Sequence, residues 1–345
     1  MTRREWLLSA AAVTLRKQRL DEAAQLIQRA TDSGEVRAAV VDVQQGWLRF
    51  AQAFGQARGA DTVFLLASIS KPMTATGVML LADRGELALA DPVRKFIPEF
   101  SGGERDEVTV QHLLTHTSGL PDMLPENETL RRRQAPLADF VAGACKAPLL
   151  FRPGAKVSYQ SMGILLAAEI VERVTRMPLR EFLRREVFVP LGMRQTSLGL
   201  GGRRIADTAQ CQVTGNDDWN WNSAYWRDLG APWGGVHSTA GDVSKFLDSF
   251  LTPKGRVLKR ETAAAMIANH TPGLNETWGL AWMLTPGTFG HACSPRTFGH
   301  YGATGTVAWA DPETGVRAVL LTTKPADQSR AGLLGPVSDL VAETT

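Results

Sequence analysis

The sequence predicts an α+β fold, with an antiparallel sheet lobe built from both ends of the chain and a helical lobe inserted between them. Three observations carry that expectation. Strand-like runs, alternating or continuously apolar, fall near the two termini, at residues 36–67 and 277–323. The middle of the chain is a succession of helical patterns broken by glycine and proline. Short glycine-containing turns, "QQG" early and "PETG" late, join neighbouring runs, as antiparallel pairing requires. The expected boundaries are a sheet lobe from 19–83 and 234–345 and a helical lobe from 84–233 that carries a cleft-rim loop.

Residues 1–18 have two readings. "MTRREWLLSAAAVTLRK" contains a paired arginine followed by an uncharged stretch, the pattern of a twin-arginine export signal. It also reads as the first turns of a helix continuing into "RLDEAAQLIQRA", where Leu20, Ala23, Ile27 and Ala30 share one face. The first reading implies export and the second a cytoplasmic protein. "VRAAVVDVQQGWLRFAQAFG" reads as two strands around a turn. "TVFLLA" is a third apolar run that feeds a helix carrying "SISK" and ending at Gly85. In the middle, Thr109 caps a helix expected to run to Gly119, and "LADFVAGACKA" is a second helix. Ser161 caps "MGILLAAEIVERVT", and Pro178 opens "LREFLRREVF". Ser238 or Thr239 then caps an amphipathic helix. The runs "TWGLAWML", "GTVAWADP" and "VRAVLLTT" read as strands, and "SRAGLLGPVSDLVAE" closes the chain as a helix.

Composition removes several classes of function. The chain of 345 residues has 38 Lys and Arg against 35 Asp and Glu, with the signs mixed, so nothing points to a nucleic-acid partner. "RRR" at 131–133 reads as a solvated helix end. Cys145, Cys211 and Cys293 are distant from one another and odd in number, and the six histidines lack metal-ligand spacing, so no disulfide framework, metal or cofactor is implied. No uncharged apolar run is long enough to span a bilayer.

Ser68 and Lys71 supply the first chemical signal. A hydroxyl near its free pKa is a poor nucleophile and needs a base to take its proton. Positions i and i+3 share a helix face, and burial or a helix N-terminus favours the neutral amine that such a base must be. Alone, S-x-x-K is weak, since roughly one is expected by chance in a chain this long at ordinary composition. Two further segments add weight. "KVSYQSMGILLAAEIVE" places Tyr159 and Ser161 just before a helix, and "TFGHYGATGTVAW" places His300 and Gly302 before an apolar strand.

In order and approximate spacing, Ser68-x-x-Lys71, Tyr159-x-Ser161 and His300-x-Gly302 resemble the serine β-lactamase and penicillin-binding-protein superfamily. The likeness is nearest to the branch of class C β-lactamases, D-alanyl-D-alanine carboxypeptidases and family VIII carboxylesterases. "LLTHTSGLPD", "FRPGAKVSYQSMG", "VFVPLGM" and "GGVHSTAGDVSKFL" resemble that branch as well, so the likeness extends over roughly residues 36–325. It implies a β-lactamase/transpeptidase-like fold and a covalent acyl-Ser68 intermediate, with either Lys71 or Tyr159 as the base. It also implies an oxyanion hole from the N–H groups of Ser68 and Ala303, and contacts to substrate from Ser161, His300 and Gly302.

Two departures shift the expected substrate. Ser161 stands where the branch usually has asparagine, and His300 where β-lactamases carry lysine. A histidine is only partly charged near neutrality and holds a β-lactam carboxylate less well. The expectation is a metal-free serine hydrolase of a small ester, amide or peptide, with an esterase or D-amino-acid peptidase ahead of a β-lactamase. An acyltransferase and a non-catalytic sensor domain are the alternatives. The tryptophan-rich "NDDWNWNSAYWRDLGAPWGG" reads as a loop at the cleft rim, with Trp221 or Trp226 stacking on substrate. His112 and His116 are expected to be structural, and His237 to lie near the cleft wall.

Overall fold

The computed structural model describes residues 3–344, with side chains from residue 17 onward. Helix α1 spans Arg3–Asp32. The side chains of the arginine pair on which the export reading depends fall outside the described residues.

Five strands form the main sheet: β1 (Ala38–Gln45), β2 (Leu48–Gly55), β6 (Phe298–Gly302), β7 (Thr306–Ala310) and β8 (Val316–Thr322), in the order β2-β1-β8-β7-β6. Every neighbouring pair is antiparallel. Both ends of the chain thus meet in the centre of the sheet, where Val41 pairs with Leu320 and Val307 pairs with Leu320 on its other side. A smaller sheet, β3-β5-β4, joins Phe64–Leu65 (β3), Ser197–Leu198 (β4) and Val236–Ser238 (β5).

Strand period sorts the side chains into two cores. Ala39, Val41, Val43, Val307, Trp309 and Leu320 face outward, against Leu20, Ala23 and Ile27 of α1 and Val337 and Val341 of the closing helix α12 (Gly335–Ala342). Val40, Ala308, Ala310, Val319 and Leu321 face inward, in one continuous core with the helices.

The helices follow in chain order. Helix α2 (Ser70–Asp83) is buried along nearly its whole length. Helices α3 (Val110–Leu114), α4 (Asn127–Arg132) and α5 (Leu137–Lys146) lead to α6 (Met162–Thr175), which is also buried and packs against α2. Next come α7 (Leu179–Leu183) and α8 (Ala224–Leu229). Helix α9 (Ala240–Leu251) is capped by Thr239, whose hydroxyl accepts from the Asp242 N–H, and it lies on the inner face of the sheet. Helices α10 (Arg260–Met266), α11 (Ala326–Ser329) and α12 (Gly335–Ala342) complete the chain.

Three expected elements differ from what forms. "TWGLAWML" is not a strand. Ala281 sits at φ +61°, which reverses the chain, and only isolated bridges link Trp278 to Met283 and Met283 to Gly299. The helix capped by Thr109 ends at Leu114 rather than reaching Gly119, because His116 adopts φ +60°. "TVFLLA" contributes only Phe64–Leu65 to a sheet, since Ala67 at φ +49° turns the chain into a short 3₁₀ turn, Ala67–Ile69. These three alanine and histidine positions occupy a region that is unfavourable for side chains bearing a Cβ.

Candidate active site

The site forms where that 3₁₀ turn enters α2. Ser68 is half-buried, and Lys71, one turn later, is fully buried. Lys71 Nζ lies 3.1 Å from Ser68 Oγ and 3.1 Å from the carbonyl oxygen of Trp233. Segment 232–236 is held by two bonds to α2 and one to Leu66, ahead of the 3₁₀ turn. Thr74 Oγ1 donates to the Pro232 carbonyl, the Val236 N–H donates to Ser70 Oγ, and the Leu66 N–H donates to the Val236 carbonyl. Burial pulls the Lys71 pKa down to about 7 against an opposing pull from Asp122. With no full counter-ion in contact, the amine is half neutral near neutrality.

Tyr159 enters from the segment before α6, and its ring centroid is 4.7 Å from Lys71 Nζ. Burial raises its pKa well above the ordinary phenol value. A hydrogen bond with the Ser68 hydroxyl pulls the other way and does not overcome burial. Tyr159 is therefore a neutral phenol across the physiological range.

The Tyr159–Ser161 segment is clamped by the turn that follows α3. The Ser158 N–H donates to the His116 carbonyl, and the Gln160 N–H donates to His116 Nδ1. Ser118 Oγ donates to Gln160 Oε1 at 2.6 Å. Ser161 stands at the start of α6, but its hydroxyl makes no capping bond. It donates instead to Asp122 Oδ1 at 2.7 Å, and the Ser161 N–H donates to the Asp122 carbonyl. The capping expectation for Ser161 is thus corrected: the hydroxyl is drawn away by a charged acceptor, which makes the stronger bond.

On the sheet side, β6 approaches the 3₁₀ turn closely. A Cβ on Gly302 would lie 2.1 Å from the Leu66 carbonyl oxygen, so only glycine lets the strand pass there. Thr304 Oγ1 and Thr306 Oγ1 donate to the carbonyls of Leu65 and Leu66. Gly302 is therefore buried by this packing. Ala303 is exposed and lies in the turn just past the end of β6, with its carbonyl accepting from the Ala326 N–H.

His300 is 2% exposed. Its Nδ1 faces the Tyr301 carbonyl at 2.5 Å, and its Nε2 is buried with no partner among the described residues. Burial, with a smaller push from Lys71, lowers its pKa to about 3, so the ring is neutral. His116, Tyr159, Trp278 and His300 form one aromatic cluster. The Tyr159 ring centroid lies 4.8 Å from that of His116, 5.9 Å from Trp278 and 6.0 Å from His300. Burial also drives the pKa of His116 far below its usual value.

The tryptophans behave differently from expectation. Trp226 is buried, with the Arg131 guanidinium 4.0 Å from its ring centroid and Trp233 packed edge-on at 6.3 Å, so its ring is core and presents no stacking face to a substrate. Trp221 is half-buried and packs on the same core, while its carbonyl accepts from Arg227 Nε. Arg131 is correspondingly not a solvated helix end: it donates to the Trp219 carbonyl and ties the tryptophan-rich loop down. His237 is fully buried in β5, and its pairing with Leu65 and Ser197 keeps it within the small sheet.

Sequence reasoning missed Asp122, the Trp233 carbonyl and the His116–Trp278 wall. "LPD" and "APWGG" carry no chemical signature of their own. Only the partner Ser161, an unusual residue at its position, offered a hint that a second polar group had moved in.

The chain belongs to the β-lactamase family, whose family model matches residues 23–342. Esterase EstB of Burkholderia gladioli is 38% identical over 155 residues, 41% of this chain and 39% of the esterase, so the chain matches well under half of that relative's length. A putative D-alanyl-D-alanine carboxypeptidase of Escherichia coli strain K12 is 26% identical, covering 89% of this chain and 83% of its own. Among solved structures, EstCE1, described as a hydrolase with promiscuous acyltransferase activity, superposes with a TM-score of 0.78. Its sequence identity is 21%, with 95% of this chain and 98% of that one covered. The β-lactamase/transpeptidase-like fold is thereby established, and with it membership of a serine hydrolase superfamily. Among the described residues, no helix is long and apolar enough to cross a membrane.

Proposed function

We propose that this chain hydrolyses small esters or amides through a covalent acyl-Ser68, with Lys71 as the base and Tyr159 as a neutral phenol that passes a proton to the leaving group. The observation that carries this reading is the placement of a fully buried amine, with a pKa near 7, at 3.1 Å from the serine oxygen. The neutral amine accepts the Ser68 proton as Oγ bonds to the substrate carbonyl carbon. The proton then moves through Tyr159 to the leaving alcohol or amine as the C–O or C–N bond breaks. Water repeats the sequence on the acyl-enzyme and releases the acid. The Ser68 and Ala303 N–H groups serve as the oxyanion hole, a role supported by the bonds that hold the 303–306 turn onto residues 65–66.

Ester or peptide-like amide substrates are favoured over β-lactams because the third motif supplies no cation. His300 is buried and neutral where a lysine would otherwise face a substrate carboxylate. The names of the esterase and carboxypeptidase relatives support the same preference. A fluorophosphonate probe is expected to label the protein, with labelling lost in Ser68→Ala. In a panel of p-nitrophenyl esters, a D-alanyl peptide and a chromogenic cephalosporin, the short esters are expected to turn over fastest. Absence of labelling, or a cephalosporin hydrolysed far faster than any ester, would overturn the reading.

A further inference from the structure

Asp122 is an exposed carboxylate at the edge of this site, fixed in place on two sides. Its Oδ1 accepts from Ser161 Oγ at 2.7 Å, and its backbone carbonyl accepts from the Ser161 N–H. Its charge reaches both Lys71 and Tyr159, so it belongs to the cleft rather than to remote surface. Among the described residues, no Lys or Arg forms an ion pair with it. The other charged or titratable groups facing the serine are Lys71, Tyr159, His116 and His300. Burial keeps the phenol and both imidazoles neutral, and Lys71 is engaged with Ser68 and the Trp233 carbonyl. Among these groups the carboxylate of Asp122 is the exposed one, so the charge it offers to an entering substrate is negative.

We propose that Asp122 is a specificity-determining residue that selects substrates bearing a cationic amine beside the scissile carbonyl, that is aminoacyl esters and amides, over N-acylated or carboxylate-bearing counterparts. The inference rests on the hydrolase reading above and deepens it. A primary ammonium group donates to the carboxylate oxygen that Ser161 leaves unoccupied, whereas an amide nitrogen offers no charge and a carboxylate is repelled.

The test compares paired substrates, the p-nitroanilides of D-alanine and of N-acetyl-D-alanine, in the wild type and in Asp122→Asn. Asparagine keeps an oxygen for the Ser161 hydroxyl and removes only the charge. Any change in Lys71 basicity affects both substrates alike and cancels in their ratio. The wild type is expected to favour the free amine in kcat/KM by about fivefold, in the range of a solvent-accessible ion pair. That ratio should fall toward one in Asp122→Asn, chiefly through KM, and shrink with added salt in the wild type alone. A wild-type preference for the N-acetyl substrate overturns the proposal, as does a ratio that Asp122→Asn or salt leaves unchanged. If fluorophosphonate still labels Ser68 in that case, only the selectivity fails; if neither substrate turns over and no label attaches, the hydrolase reading fails with it.

Discussion

The outer core and the cleft floor are made from the same kinds of element to opposite rules. Between the sheet and α1 and α12 the packing is chiefly apolar, and the indole nitrogen of Trp309 donates to Ser338 Oγ. Around Lys71, an amine and two imidazoles are buried, His116 Nε2 and His300 Nε2 have no partner among the described residues, and Ala67 and His116 sit at positive φ. Each such feature costs on the order of 1–3 kcal/mol. A chain tolerates that concentration of cost only where something other than stability is being held in place. The contrast teaches that here the strain tracks the chemistry: Ala67 aims Ser68, and His116 braces Tyr159.

Substitutions can break the contrast from either side. The largest effect is expected at Lys71. Lys71→Met should lower the rate of Ser68 acylation by about 10³–10⁴-fold, the scale of a lost general base, as measured by stopped-flow with an activated ester. The same change should stabilise the fold. The folded-state pKa, about 7, lies below the unfolded value, so the unfolded chain binds the proton more tightly between those two values. The penalty is thus absent above about pH 10.5, grows as pH falls, and is complete below about pH 7. Thermal melts of the two proteins should differ by several kcal/mol at pH 7 and converge near pH 11.

In the outer core the sign is reversed. Trp309→Ala is expected to cost about 3–5 kcal/mol of stability while leaving kcat/KM of the folded fraction within about twofold, because the ring faces away from the cleft. Tyr159→Phe comes next, with about a hundredfold loss in kcat for a poor leaving group and a smaller loss for p-nitrophenolate, which needs no proton. The smallest effect is expected at Ala67. Ala67→Gly relieves the positive φ and should change stability by no more than about 1 kcal/mol, with slower acylation as the serine loses its fixed direction.

The same division decided what could be read from the sequence. The sheet lobe was legible because β1, β7 and β8 are short, near-continuous apolar runs bounded by short turns, and α9 and α12 keep one apolar face. Ser68, Lys71 and Tyr159 were legible because three separated motifs have a joint meaning that none has alone, and the fold brings these three together. "TWGLAWML" misled because its apolar run is buried on all sides, and periodicity cannot distinguish a strand from a buried turn around Ala281. Trp226 misled for a related reason: a polar neighbourhood in sequence hid the Arg131 guanidinium that covers its ring in space. Asp122 was invisible because its importance is relational. It matters through the hydroxyl of Ser161 and through a histidine that carries no charge.

The central claim is that the amine of Lys71, and not the phenol of Tyr159, deprotonates Ser68. Its most direct test is the rate at which a neutral fluorophosphonate labels Ser68 as a function of pH. His116 and His300 lose their protons far below the relevant range, and Tyr159 far above it, so a single limb is left for Lys71. Labelling is expected to rise with pH through one ionisation centred near 7 and then level off, and to lose that limb in Lys71→Met. A rate that keeps climbing beyond pH 9, or a limb near 7 that survives in Lys71→Met, would contradict the assignment.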